Sequence, residues 1–315
     1  MKLILPIEVI TDIKPHLPPD TQVVSVDSEG NLDGDARDAE VYFNWIRLKP
    51  TTLHKVLAAA PELRWQHTPS AGVNHILTPT FLARDITLTN GAGVHAIAIA
   101  EFVLMFMLYH AKNLPKLQAL QAERYWGRGI KLQELKDATL LIIGAGSIGR
   151  AIAQRASSFG MRIWGSRRHP QPLPEFDKVV STTEWRSLLP DADYVVVSTP
   201  LTPETKGMID AAAFQAMRPS AFFINIARGA IVDEAALLNA LREDWIAGAG
   251  LDTFSTEPLL PDSPFWSLSN VFITPHSSAS SVRTHQRSLE LFLDNLSRYQ
   301  AGLPLRNVVD KQAGY

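Results

Sequence analysis

The chain has 315 residues, of which 46% are hydrophobic and 20% charged, with a formal net charge of −2. That length suggests two domains, each large enough for its own core, and the near-neutral balance gives no reason to expect a nucleic-acid or membrane partner. The absence of cysteine excludes disulfides, thiolate zinc sites and cysteine nucleophiles, and no metal site is expected.

The N-terminal run Met1-Lys-Leu-Ile-Leu-Pro6 is too short for a signal peptide and reads as a first strand; nothing points away from the cytoplasm. Strand-like runs recur at residues 2–5, 22–26, 41–45, 64–67 and 86–89, with a helix-like stretch at 51–60 stopped by Pro61. That alternation predicts an α/β domain with a parallel sheet. The longest apolar stretch, 96–109, is interrupted by Glu101 and falls short of the roughly 20 residues a membrane span requires; it reads as a buried helix. After a basic, aromatic stretch at 123–131, strand-like runs resume at 139–143, 162–164, 194–198, 221–226, 247–251 and 271–274. The stretch 281–299 is again helical, with Leu289, Phe292, Leu293 and Leu296 at helical spacing.

The second series opens on Leu140-Leu-Ile-Ile-Gly-Ala-Gly-Ser-Ile-Gly149. A buried strand feeds a Gly-x-Gly-x-x-Gly loop and then a helix-like run at 151–156. In that context the motif means dinucleotide binding: Gly144 permits the turn, Gly146 lets the backbone approach a pyrophosphate, and Gly149 lets the helix pack close to the strand. Ser147 and Ile148 complete the loop, where a helix N-terminus presents free N–H groups to phosphate. Because this loop sits mid-chain, the simplest arrangement is a nucleotide domain at 96–280 inserted into a domain built from 1–95 and 281–315. The fold class expected is α/β with two doubly wound parallel-sheet domains, a Rossmann domain inserted into a flavodoxin-like substrate domain. Helices near 95–112 and 281–300 would cross between the two, and the active site would lie in the cleft.

An NAD-binding domain usually carries Asp or Glu about 20 residues beyond the glycines. Here the strand Met161-Arg-Ile-Trp-Gly165 is followed by Ser166-Arg167-Arg168-His169, with no carboxylate. A hydroxyl and two guanidinium groups suit a 2′-phosphate, which favours NADP over NAD; a merely solvated basic loop also fits.

Three polar residues stand just past predicted strands: Arg228 after 222–227, Glu257 shortly after 250–254, and His276 after 271–275. Hydride transfer to a ketone needs a cation for the substrate carboxylate and an acid for the forming alkoxide. Arg228 can serve as the first and His276 as the second, and a carboxylate beside an imidazole favours its protonated form. Taken singly, each also fits a bland role: a surface ion pair for Arg228, a loop cap for His276, a solvated side chain for Glu257.

Together, Gly144-Ala-Gly-Ser-Ile-Gly149, Asn225-Ile-Ala-Arg-Gly-Ala-Ile-Val-Asp-Glu234, Leu251-Asp-Thr-Phe-Ser-Thr-Glu-Pro-Leu259 and Thr274-Pro-His276 resemble the D-isomer-specific 2-hydroxyacid dehydrogenases over nearly the whole chain. The resemblance implies that Arg228 holds the carboxylate and carbonyl of a 2-oxo acid, that His276 is the acid/base, and that Glu257 pairs with it. It also implies Asp252 and the Ala227 backbone near the nicotinamide carboxamide, and Thr199 and Pro200 against the cofactor. Ser70-Ala-Gly-Val-Asn-His75 resembles the family's substrate loop, so carboxylate-binding N–H groups fall to Ala71, Gly72 and Val73. Where the family commonly has Asp this chain has Asn74, and the frequent glycine after the catalytic His is replaced by Ser277; both changes bear on pocket shape. His67, His75 and His95 read first as structural or loop residues.

Two relatives are set aside. Formate dehydrogenases of this superfamily carry Gln where Glu257 stands, and the regulatory domain of long phosphoglycerate dehydrogenases is not expected in a chain ending at Tyr315. The expected activity is NADPH-dependent reduction of a small 2-oxo acid of the glyoxylate/hydroxypyruvate class to a D-2-hydroxy acid. The alternatives are an NAD(P)H-sensing interaction protein, as the C-terminal binding corepressors are, or oxidation of a different acid such as phosphite. A homodimer is expected from the resemblance, with 104–131 as the candidate contact. Trp126 and Trp266 either wall a pocket or simply pack.

Overall fold

The computed structural model describes residues 1–45 and 49–314. The chain divides into two compact units, Met1–His95 with Ser281–Tyr315, and Ala96–Ser280.

In the first unit, β1 (Lys2–Pro6), β2 (Gln22–Val26), β3 (Val41–Phe43), β4 (Trp65–His67) and β5 (Thr87–Thr89) form a parallel sheet in the order β2-β1-β3-β4-β5. This is the flavodoxin-like order of a doubly wound sheet. Because strand side chains alternate between faces, Ile4 and Tyr42 pack against Leu53, Val56 and Leu57 of the helix Pro50–Ala59. Leu3, Leu5, Phe43 and Trp65 face the other way, onto Leu289, Phe292 and Leu296 of the helix Thr284–Gln300. Phe292 stacks on Phe43 with ring centroids 4.5 Å apart. The 3.6-residue period of the C-terminal helix thus covers one face of a sheet begun almost 300 residues earlier.

In the second unit, β6 (Thr139–Ile143), β7 (Arg162–Ser166), β8 (Lys178–Val180), β9 (Tyr194–Val197), β10 (Phe222–Asn225), β11 (Gly248–Leu251) and β12 (Val271–Ile273) are all parallel. Their order, β12-β11-β10-β9-β6-β7-β8, reverses direction between β6 and β9. Ligands of open α/β sheets bind at such a switch point, outside the carboxyl ends of the strands. The apolar run at 96–109 is the helix Ala96–Ala111; its Phe106 and Met107 are fully buried with Ile142, Ile152 and Ile163, each contributing about 2 kcal/mol through burial. No single helix among the described residues is long and apolar enough to cross a membrane. Ala96–Ala111 and Leu114–Ala122 reach that length only together, bent by 65° at their junction.

Candidate active site

The glycine loop closes the switch point. Gly144 adopts φ +110°, and a Cβ there would lie 2.6 Å from the Ser198 carbonyl oxygen, so both its conformation and its surroundings demand glycine. The loop is pinned by Ser166 O, which accepts from Gly144 N–H (3.1 Å) and Ala145 N–H (2.8 Å), and by the Ser198 hydroxyl, which donates to Gly144 O at 2.7 Å. A Cβ on Gly149 would meet Gly144 O at 2.3 Å. The helix Ser147–Ser157 begins there, with Gly146 at an N-cap that no side chain caps. Its first-turn N–H groups are therefore left for another acceptor. Nothing lies within 4 Å of the place a Gly146 Cβ would take. An open approach beside uncapped N–H groups fits a dinucleotide pyrophosphate.

At the end of β7, Ser166 is 2% exposed and serves the loop through its carbonyl. Arg167 N–H bonds Val180 O at 3.1 Å, which ties this segment to β8, the edge strand the sequence pattern did not reveal. Arg168 is exposed, and its positive charge helps hold the Glu204 carboxyl below the usual range, after the larger effects of the Thr202 hydroxyl and Glu204's own backbone. Thr199 and Pro200 lie in the loop leaving β9, where Pro200 O accepts from the Thr205 hydroxyl at 2.7 Å.

The three candidate catalytic side chains follow β10, β11 and β12, three neighbouring strands. Arg228 sits on a turn held by Asn225, whose Nδ2 donates to Arg228 O (3.1 Å) and whose Oδ1 accepts from Ala227 N–H (3.1 Å). Its own Nη1 donates to Ala227 O at 2.6 Å. Burial pulls the guanidinium below its ordinary value, and the negative charge of Glu257 opposes that shift. The turn after Arg228 presses on the Glu257 loop, since a Cβ on Gly229 would lie 1.9 Å from the Phe254 carbonyl carbon. Glu257 Oε2 is 2.7 Å from His276 Nδ1, and Glu257 Oε1 accepts from Phe254 N–H at 3.0 Å. His276 has φ +50°, uncommon for a residue with a Cβ and of a kind that gathers at functional sites.

What holds that backbone is Asp252, which is fully buried. Its Oδ1 accepts from the Thr274 hydroxyl (2.6 Å) and Ser277 N–H (2.8 Å), and its Oδ2 from Ser278 N–H (3.0 Å). The residues on both sides of Pro275-His276 are thus braced to one carboxylate at the end of β11. Sequence reasoning singled out Asp252 but not this brace. Asn225 was likewise missed, although an Asn closing a strand before a turn is a recognisable signal.

In the first unit, Ala71, Gly72 and Val73 follow β4. Their N–H groups meet no acceptor among the described residues, and Val73 is 1% exposed. His67 is fully buried, with Nδ1 2.8 Å from the Thr89 hydroxyl, and His95 Nε2 bonds Pro69 O at 3.0 Å. Trp266 donates to Leu260 O at 2.9 Å, whereas Trp126 is 89% exposed.

An uncapped glycine-loop helix at a switch point, with Arg, Glu and His on adjoining strand ends, defines an oxidoreductase of the nicotinamide-dinucleotide class. The sequence profile described as D-isomer specific 2-hydroxyacid dehydrogenase, NAD binding domain, matches residues 104–278. The chain is 35% identical over 272 residues to a glyoxylate reductase of Korarchaeum cryptofilum, covering 82% of this chain and 79% of that protein. It is also 35% identical over 266 residues to the glyoxylate reductase of Thermococcus gammatolerans, with the same coverage. A D-isomer specific 2-hydroxyacid dehydrogenase from Xanthobacter autotrophicus Py2, solved with NADPH and MES, superposes with TM-score 0.87 at 29% identity over 100% of this chain and 99% of that one. An NADPH-dependent glyoxylate/hydroxypyruvate reductase from Sinorhizobium meliloti, solved with NADP and sulfate, does so with TM-score 0.87 at 28% identity and the same coverage. The chain belongs to the D-isomer specific 2-hydroxyacid dehydrogenase family.

Proposed function

We propose that the protein reduces a small 2-oxo acid of the glyoxylate/hydroxypyruvate class to a D-2-hydroxy acid, with NADPH preferred over NADH. The observation that carries the chemistry is the 2.7 Å contact between Glu257 Oε2 and His276 Nδ1. It occupies one ring nitrogen and leaves Nε2 to face a reactant, which is the geometry a general acid needs. NADPH, when bound, supplies the hydride. Arg228 holds the substrate carboxylate and polarises its carbonyl, and its neighbour Glu257 keeps the charge balance of the half-buried site. His276 Nε2 gives its proton to the carbonyl oxygen as the alkoxide forms.

Gly144, Gly146, Ser147, Ile148 and Gly149 are proposed to cradle the pyrophosphate, with Thr199 and Pro200 against the cofactor and Ala227 and Asp252 beside the carboxamide. The amides of Ala71, Gly72 and Val73 are proposed as further carboxylate donors. NADPH preference is supported by Arg167 and Arg168 standing where a ribose-binding carboxylate would otherwise be. It is supported too by the NADPH and NADP bound in the two structural neighbours. The substrate class is supported by the relatives named as glyoxylate reductases.

A homodimer is part of the same proposal. The helix Ala96–Ala111 buries Val103, Phe106 and Met107 inside its own unit, and within 104–131 the most exposed apolar side chains are Tyr125 at 65% and Trp126 at 89%. Steady-state oxidation of NADPH and NADH across small and aromatic 2-oxo acids tests the activity, and light scattering with Trp126→Ser tests the dimer.

A further inference from the structure

The loop carrying Ala71, Gly72 and Val73 has its carbonyls tied down one after another. Pro69 O accepts from His95 Nε2 at 3.0 Å, Ser70 O from Gly91 N–H at 3.0 Å, and Ala71 O from Asn90 Nδ2 at 2.9 Å. All three donors lie within 90–95. Asn90 is 7% exposed, and its Oδ1 accepts from Ala92 N–H at 3.1 Å, so its amide is oriented with the NH2 toward Ala71. Its backbone is held in turn by Asn307, which takes Asn90 N–H on its carbonyl (3.0 Å) and donates Nδ2 to Asn90 O (3.2 Å). The approach is so close that a Cβ on Gly91 would lie 2.0 Å from Pro69 O.

A trans peptide is planar, with its C=O and N–H pointing in opposite directions. Fixing Ser70 O therefore aims Ala71 N–H, and fixing Ala71 O aims Gly72 N–H, both away from the 90–95 segment. Those are the N–H groups that meet no acceptor among the described residues. We propose that Asn90 is a positioning residue, which through Ala71 O orients the Gly72 amide so that it binds the carboxylate of the substrate, beside the Ala71 amide aimed by Gly91 N–H. Asn90 does not touch the substrate; it acts through a backbone carbonyl. The inference rests on the 2-oxo acid reading above.

The test uses the full chain and three readouts: KM and kcat for the best 2-oxo acid, inhibition by oxamate as an unreactive mimic, and the Kd of NADPH. Asn90→Asp keeps the shape and the acceptor for Ala92 but removes the donor to Ala71 O; His95→Phe removes the donor to Pro69 O. Asn90→Asp is expected to raise KM and the oxamate inhibition constant about tenfold, the scale of one lost hydrogen bond, while kcat falls less and the NADPH Kd stays within about twofold; His95→Phe is expected to change them less, because Pro69 O aims Ser70 N–H, which bonds the Thr68 hydroxyl. If Asn90→Asp does not fold, Asn90→Ala, which also removes the donor to Ala71 O, is read in the same way. Unchanged KM and inhibition, or a parallel loss of NADPH affinity marking a general structural defect, overturns the inference while leaving the activity standing. A wild type that turns over no 2-oxo acid overturns the parent reading as well.

Discussion

Glu257 grips His276 with one carboxylate oxygen and its own loop with the other: Oε2 lies 2.7 Å from Nδ1, and Oε1 takes Phe254 N–H at 3.0 Å. The base is therefore oriented by a group that is itself anchored, which fixes where Nε2 points. Glu257→Gln keeps the size and one carbonyl acceptor but loses the charge. Turnover should fall roughly 10-fold to 100-fold, with the fold and NADPH affinity intact. Unchanged turnover would show that the contact does nothing for the reaction.

Arg228 differs from the exposed arginines because burial disfavours its charge and, among the described residues, Glu257 compensates. A planar guanidinium can hold a carboxylate through two parallel N–H bonds, and an ammonium cannot. Arg228→Lys should lower kcat/KM on the order of 100-fold, read by steady-state kinetics. A loss of only a few-fold would mean that the site needs no more than a positive charge.

The cofactor preference is assigned to Arg167 and Arg168. Replacing both with Ala should weaken NADPH binding about 10-fold to 100-fold and leave NADH binding nearly unchanged, as measured by fluorescence titration with each cofactor. Equal losses for the two cofactors would place these side chains away from the 2′-phosphate.

Acid stability should be set in part by His67. Burial depresses its pKa to about 3, against about 6.5 in an unfolded chain. Between those values the unfolded state binds a proton that the folded state refuses, so stability falls as pH falls. The loss is about 1.4 kcal/mol per pH unit for this one group, and it ends once pH passes below 3. Burial of His110 acts in the same direction. Thermal melts from pH 7.5 to 4.5 should show a steep decline in Tm, and His67→Leu should flatten it. Parallel slopes in the two proteins would contradict the assignment.

The parts of this fold that could be read from sequence are those in which one short segment carries its own signal. The run 140–149 declares strand, turn and helix in order, and the structure places Gly144 in the left-handed conformation and begins the helix at Ser147. The placement of Arg228, Glu257 and His276 past neighbouring strands was legible because each follows a recognisable apolar run. β8 was not: it is three residues long, partly exposed and at the sheet edge, where little hydrophobic pattern is required. The Asp252 brace was hidden for a different reason, since its donors lie 22 to 26 residues away and meet it only through the β11–β12 pairing. The carbonyl clamp on Pro69, Ser70 and Ala71 likewise depends on two loops brought together by β4 and β5. Tertiary hydrogen bonds of this kind leave no periodicity behind.

The central claim is that His276, held by Glu257, is the proton donor for reduction of a 2-oxo acid by NADPH. The most direct measurement compares wild type with His276→Gln in NADPH oxidation with glyoxylate and hydroxypyruvate, alongside NADPH affinity for both proteins. Turnover by the wild type is expected, with a loss of about 100-fold to 10,000-fold in the variant and the same cofactor Kd. Comparable turnover by the variant, or none by the wild type despite tight NADPH binding, would contradict the claim.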